Sequence, residues 1–338
     1  MNYRKLGRTG IRLSEIGLGT WEMSGDVWGK KDDATSIKAI NTALDLGVTY
    51  IDTAARYGNG RVEKLVGQAI KEREKEGTSA GKTLVSTKVY PKCEEWAPPA
   101  HKDIADFFPP DWIRKQCQES LSRLGRDCID ILFLHTWSKS WAHKTEWYDA
   151  MAGLKDEGKI KAIGISVRDD EASEANVHLE AGRVDVIQCA YNAFQQEPEY
   201  ALFPMAQKKG VGIVARSPFS SGALTGNWKK GMRFPEGDWR AAWPASVGYE
   251  NWANGQADMA DAVRPIVSKA GLTMPSAALK YVLGNPAITS VIPGSADPDH
   301  VASNVSASGS PGLPDKAVSA LKDLWLGGKI RGTYNGSK

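Results

Sequence analysis

Asp52, Tyr57, Lys88 and His135 each fall at the end, or just past the end, of a segment that reads as a strand. A helical pattern follows each strand, which puts all four residues on one rim of a parallel barrel. A carboxylate, a phenol, an ammonium and an imidazole in one cleft make a proton-donating site. A carbonyl needs such a site when it accepts a hydride. A phenol has an ordinary pKa of about 10, so it donates well at neutral pH only where its anion is stabilised. Lys88 would do that, Asp52 would keep Lys88 charged and oriented, and His135 would hold the carbonyl oxygen close to Tyr57. Taken singly, each has a plainer role: Asp52 a loop cap, Tyr57 a packing ring, Lys88 a solvated strand end, His135 a core imidazole. Their joint placement at consecutive strand ends favours catalysis.

The elements that must hold these residues alternate along the chain. Strand-like runs are Glu15–Gly19, Thr49–Thr53, Leu84–Lys88, Ile129–His135, Ile160–Ser166, Val184–Cys189, Gly212–Ala215 and Ser290–Ile292. They are short, rich in Ile, Val and Leu, and bounded by Gly, Asp or Pro, as buried parallel strands are. Helical periodicity fills the gaps, with glycine stops at Gly47, Gly125 and Gly158. Eight such units predict a (β/α)8 TIM barrel as one domain over the whole chain. A short hairpin (Tyr3–Lys5 and Ile11–Leu13) precedes it, and a last helix near Pro314–Leu326 lies outside the repeat. The runner-up is an open doubly wound sheet. It ranks lower because Gly17-Leu-Gly-Thr-Trp-Glu lacks the third glycine of a dinucleotide fingerprint. Three connections are long, Pro91–Pro110, Thr136–Lys144 and Phe219–Gly255, and all follow strands on the C-terminal rim.

With 338 residues, 41% hydrophobic and 25% charged, the chain has room for a large core. Its net charge is +3, from 43 basic and 40 acidic residues, too small to argue for nucleic acid or an anionic membrane. Four scattered cysteines without CxxC spacing argue against zinc or a disulfide framework and fit a reducing cytosol. The N-terminus has no apolar run of signal-peptide type, and no segment reads as membrane-spanning, so a cytoplasmic location is expected. Gly77-Thr-Ser-Ala-Gly-Lys-Thr83 imitates a phosphate-binding loop but is one residue short and precedes a strand. No metal-ligand spacing is present.

Asp-Thr-Ala-x-x-Tyr-Gly from Asp52, the lysine ending strand three, the histidine ending strand four, and Gly17-Leu-Gly-Thr-Trp together resemble the aldo-keto reductases. They look like the bacterial branch related to potassium-channel β subunits, and the resemblance runs from about residue 2 to residue 310. The resemblance implies a TIM barrel that binds a nicotinamide dinucleotide in extended form, with Asp52, Tyr57, Lys88 and His135 as the catalytic tetrad. It places Gly19, Thr20 and Trp21 beside the nicotinamide, with Trp21 also facing substrate. It assigns Ser166 and Gln188 to the carboxamide. Val167 stands where the family often has asparagine, and Arg216 where many members stack a tyrosine; a guanidinium is also planar. Ser217, Phe219, Ser221 and Leu224 match the loop that wraps the pyrophosphate.

Gly294, Ser295, His300 and Asn304 align with the stretch that holds the adenosine 2′-phosphate. Here the chain has no Lys or Arg between Gly294 and Asn304, and it carries Asp297 and Asp299. Family habit favours NADPH, with NADH as the alternative. Substrate is expected to be a small carbonyl or alcohol compound. The tryptophans of the rim loops point to a bulky, ring-containing or sugar-like one, with Trp137 and Trp243 as contacts; their plainer role is packing loops onto the barrel. Two other functions stay open: a cofactor-sensing regulatory subunit with slow turnover, and a cofactor-free lyase or isomerase. Nothing in the sequence marks an oligomer interface.

Overall fold

The structure is a computed structural model, and it describes residues 1–25, 27–29, 31–77, 83–93, 96, 98–99, 101–169, 172–242 and 249–331. Among the described residues the strands are β1 (Tyr3–Lys5), β2 (Arg12–Ser14), β3 (Leu18–Gly19), β4 (Tyr50–Asp52), β5 (Leu84–Val89), β6 (Ile129–Leu134), β7 (Ile160–Ser166), β8 (Val186–Ala190), β9 (Gly212–Arg216) and β10 (Ile288–Val291). The last eight form one parallel sheet in sequence order, β3 through β10. Parallel bridges Ile16↔Val291 and Gly19↔Gly294 join its two edges and close the barrel. Gly19 is needed at that seam, because a Cβ there would meet the Ile292 carbonyl oxygen at 2.9 Å. The barrel expected from the sequence is what forms, and the runner-up, an open doubly wound sheet, falls.

Helices cover the outside in the order the periodicity predicts. They begin with α1 (Asp33–Asp45), α2 (Arg61–Lys75), α3 (Ile104–Phe107), α4 (Pro110–Leu124), α5 (Glu146–Asp156), α6 (Asn176–Glu180) and α7 (Leu202–Lys209). After β9 come α8 (Trp239–Ala242), α9 (Tyr249–Lys269) and α10 (Met274–Leu283), and after β10 come α11 (Pro298–Val305) and α12 (Asp315–Leu326). Asp32 caps α1 by accepting from the Thr35 amide at 2.8 Å, and Gly125 ends α4 in the left-handed conformation. The final helix lies outside the repeat, packed on α9.

Strand boundaries differ from the sequence reading at both ends of the barrel. The first barrel strand is shorter than Glu15–Gly19, because residues 15–17 pair with β10 by isolated bonds only. The last begins at Ile288, two residues earlier than expected. The second hairpin strand is shifted one residue, to Arg12–Ser14. The long segment after β9 is partly helical, and so is the one after β5, which contains α3. The false phosphate-binding loop falls mostly on residues 78–82, outside the described residues.

Side chains alternate in and out along each strand. The inward set Tyr50, Ile131, Phe133, Ala162, Val186, Val214 and Ile292 forms the barrel interior together with Leu6 and Leu13 from the hairpin. The hairpin thus plugs the N-terminal end of the barrel. Arg4 ties it down by donating to the Leu283 and Ile288 carbonyls and to Glu15. The polar continuation of the same inward rows opens at the C-terminal end. Among the described residues, no helix is long and apolar enough to cross a membrane.

Candidate active site

Inward parity explains the cluster. Tyr50 and Asp52 on β4, Ser86 and Lys88 on β5, and Phe133 followed by His135 past β6 all face the axis. Lys88 Nζ donates to Asp52 Oδ2 at 2.6 Å and to the Thr53 carbonyl at 2.9 Å, and both charged side chains are almost fully buried. Asp52 Oδ1 accepts from Ser86 at 2.6 Å and from Gln188 Nε2 at 2.9 Å. The carboxylate is thus fully engaged, as a buried charge must be. Tyr50 bonds Ser86 at 2.8 Å beneath it and completes the floor.

Tyr57 sits on a one-turn 3-10 helix, Tyr57–Gly60, that enters α2. Its ring lies 5.3 Å from Lys88 Nζ and 5.9 Å from the His135 ring. Burial raises the phenol above the ordinary tyrosine value, while Lys88 pulls it down without prevailing. The phenol is therefore protonated at neutral pH. Burial also pushes His135 well below the ordinary histidine value, reinforced by Lys88, Arg216 and Arg56. A neutral imidazole offers one N–H and one acceptor. His135 Nδ1 is buried without a partner among the described residues, so hydrogen-bonding capacity is left over in the cleft.

The residues assigned to a dinucleotide lie along one side of this cleft, from β7 to β10. Ser166 and Gln188 are cross-strand neighbours at the ends of β7 and β8. Arg216, at the end of β9, is fixed by an ion pair to Asp169 at 2.5 Å and by donation to the Val167 carbonyl at 2.8 Å. In the next loop Ser217, Ser220 and Ser221 all have positive φ (55, 45 and 58°), a conformation that costs energy outside glycine. Such strain clusters at ligand clamps. The amides of Ser220, Gly222 and Leu224 are spent on carbonyls of Ser217 and Phe219. Leu224 is buried and Phe219 packs against the core, so both shape the loop.

Gly294 meets Gly19 at the seam, and Thr20 donates to the Asp52 carbonyl at 2.9 Å. Ser295 is buried and bonded within its own turn to Asp297, so its hydroxyl is already occupied. The first turn of α11 is capped by Asp297, which accepts from the Asp299 and His300 amides. Those amides hold the Asp297 carboxyl below its ordinary value, aided by His300 and Lys31. The expected opening for a phosphate at this helix start is thus filled by a carboxylate. Asn304 lies nearly buried beside Gly17 and Pro293.

Trp21 is 38% exposed and forms the mouth with Trp28 and Trp239, at ring distances of 5.2 and 5.7 Å. Trp137 is placed elsewhere than expected. It is 1% exposed and packed against Trp141, Trp147 and His178, so it supports the loop beneath the rim and does not line the cleft. Trp243 lies outside the described residues. The sequence reading missed Tyr90, which stacks on Trp96 at 5.6 Å and faces His135 at 6.0 Å. Its signal was available, because Tyr90 continues the inward row Ser86, Lys88.

Comparison with known proteins agrees with this architecture. The Aldo/keto reductase family model matches residues 15–326. An NADH-specific methylglyoxal reductase of Escherichia coli is 32% identical over 313 residues, covering 89% of this chain and 92% of that protein. A probable voltage-gated potassium channel subunit beta of Arabidopsis thaliana is 29% identical, covering 91% of each chain. The solved glycerol dehydrogenase of Gluconobacter oxydans superposes with a TM-score of 0.77 at 26% identity, over 99% of this chain and 98% of that one. With a closed parallel barrel, a rim of ionisable groups and a family match over nearly its whole length, the chain belongs to the aldo/keto reductase family.

Proposed function

We propose that this oxidoreductase reduces aldehydes or ketones, or runs the reverse reaction, with Tyr57 as proton donor and a nicotinamide dinucleotide as partner. The carrying observation is the buried Lys88–Asp52 pair beside a protonated Tyr57 and a neutral His135. The residues present fit the nucleotide: a turn at 217–222 whose strained positions are serines and a glycine, the Ser166–Gln188 pair, and unused hydrogen-bonding capacity on His135. Ser166 and Gln188 would hold its carboxamide, and Ser217, Phe219, Ser221 and Leu224 would border its phosphates. Bound there, the nucleotide supplies a hydride equivalent.

The chain's own groups do the rest. His135 hydrogen-bonds the carbonyl oxygen and holds it against Tyr57. Tyr57 releases its proton to that oxygen as negative charge builds there, and the Lys88 ammonium stabilises the phenolate left behind. Asp52, fixed by Ser86 and Gln188, keeps the ammonium aimed at the phenol. The aromatic mouth of Trp21, Trp28 and Trp239 limits access of water.

For the nucleotide itself, the structure supports NADH over the NADPH that family habit suggests. A 2′-phosphate would meet ionised Asp297 at the start of α11, with Asp299 next to it and no Lys or Arg from 294 to 304. Lys31, the cation felt at Asp297, is already paired to Glu22. The name of the Escherichia coli relative points the same way.

The test is oxidation of NADH and NADPH with a panel of aldehydes, ketones and sugars, with nucleotide binding followed by tryptophan fluorescence. NADH is expected to be consumed in preference. Tyr57→Phe is expected to lower kcat by about 10²–10⁴-fold while nucleotide still binds. Tight binding with slow turnover on every substrate would favour the cofactor-sensing reading, which the likeness to a channel subunit motivates. If neither nucleotide binds, the assignment is wrong.

A further inference from the structure

The mouth of the cleft carries a guanidinium that the reduction chemistry does not use. Arg56 immediately precedes Tyr57 and is exposed. It is held at two points: Nη1 donates to Asn59 Oδ1 at 2.8 Å, and the guanidinium carbon lies 5.4 Å from the Tyr90 ring centre. Asn59 has φ 51°, the left-handed region that a non-glycine residue enters at a cost. That turn places its amide oxygen within reach of Arg56.

Charge pairing sets Arg56 apart from its neighbours. The other two cations acting on the cleft are each paired, Lys88 with Asp52 and Arg216 with Asp169. Among the described residues, Arg56 has no carboxylate partner, and its guanidinium donates through Nη1 alone. Among the described residues, three cations against two carboxylates leave one positive charge without a paired carboxylate at the mouth. Its field reaches the reacting end, because Arg56 is among the charges that hold His135 neutral.

An apolar wall adjoins this charge. Trp96 is 54% exposed, stacks on Tyr90 with planes 25° apart, and lies 5.1 Å from the His135 ring. Tyr90 contacts both the Arg56 guanidinium and the Trp96 indole, and Trp96 in turn lies beside the imidazole that takes the carbonyl oxygen, so the three groups border one cleft. The guanidinium fork matches the two oxygens of a carboxylate, and a single charge matches its charge.

We infer that Arg56 is the anion-recognition residue of the substrate pocket, and that this site selects carbonyl compounds bearing a carboxylate on a flat apolar body. The inference rests on the reductase reading for where the carbonyl lies, and on the mouth alone for the binding of the anion.

The test compares 4-carboxybenzaldehyde with its methyl ester, which differ in one charge. The comparison uses the nucleotide-saturated wild type, Arg56→Gln and Arg56→Lys. The wild type is expected to favour the acid by roughly five- to tenfold in kcat/KM, discounted for the exposure of the site. The difference should lie in KM and shrink as salt is added. Arg56→Gln should bring the acid-to-ester ratio to about one, and Arg56→Lys should recover part of it; a loss of folding would lower both substrates together and leave the ratio. Benzoate binding, read by quenching of tryptophan fluorescence, should weaken in Arg56→Gln. A wild-type ratio of one or less, a ratio unmoved by Arg56→Gln, or equal benzoate affinity in both proteins would overturn the assignment. If neither aldehyde consumes nucleotide, the reductase reading fails, and the benzoate titration still decides the anion subsite.

Discussion

Tyr57 and His135 carry opposite shifts from one shared cause, loss of water. Burial disfavours the charged form of each, so the phenol stays protonated and the imidazole stays neutral. The sign for pH dependence follows. The proposed reduction uses protonated Tyr57, which persists up to its raised pKa. His135 is neutral on both sides of pH 6.5 because its pKa lies well below that. Carbonyl reduction should therefore be flat between about pH 6 and 9. Oxidation of the product alcohol needs the phenolate and should climb steadily through the same range. Profiles of kcat/KM in both directions check this, and a limb near 6.5 in reduction, absent from His135→Gln, would contradict the neutral imidazole. Of these residues, the cluster of Asp52, Tyr57, Lys88 and His135 was legible in the sequence because Asp52 and Lys88 lie at strand ends and Tyr57 and His135 follow strands. Trp137 misled because rim-loop position says nothing about which way a ring turns; His178 and two more tryptophans draw it inward.

The strands position the site through parity, and parity depends on small residues where large ones cross the axis. Phe133 on β6 faces Gly164 on β7 in register, and a Cβ on Gly164 would approach the Phe133 ring at 2.3 Å. The phenyl ring occupies the space the glycine leaves empty, directly below His135. Gly164→Ala should cost about 1–3 kcal/mol by overpacking, measured by urea unfolding. Because the displaced ring shares a strand with His135, kcat should fall as well. Normal stability together with normal kcat would mean the interior adjusts more freely than its packing suggests. The helix stops at Gly125 and the hairpin start at Tyr3 could be read from sequence, since glycine and alternation act locally. The helical content of the segment after β9 could not, because α8 and the start of α9 lie where Pro and Gly break the periodic pattern.

The barrel as a whole separates stability from chemistry along its axis. The hairpin seals the end opposite the cleft. Leu6 is fully buried there, against Gly212, where a Cβ would meet its side chain at 2.4 Å. Leu6→Ala should destabilise by about 2–5 kcal/mol and leave kcat/KM near the wild-type value in folded protein. Urea unfolding and steady-state kinetics on the same sample test both halves. A large loss of kcat/KM would show that the plug and the cleft are coupled through the interior.

What the sequence determined by itself was the repeat, the order of the strands and the residues at their ends, because hydrophobic period and glycine punctuation are local properties. Tertiary structure decided three other things. It set which groups share charge: Asp52 is satisfied by Ser86, Lys88 and Gln188 from two other strands. It filled the start of α11 with Asp297, which turns the cofactor argument towards NADH. It left Arg56 beside Tyr90 without a carboxylate among the described residues. The first and last of these depend on distances between residues far apart in the chain, and electrostatics and desolvation act through those distances and not through sequence spacing.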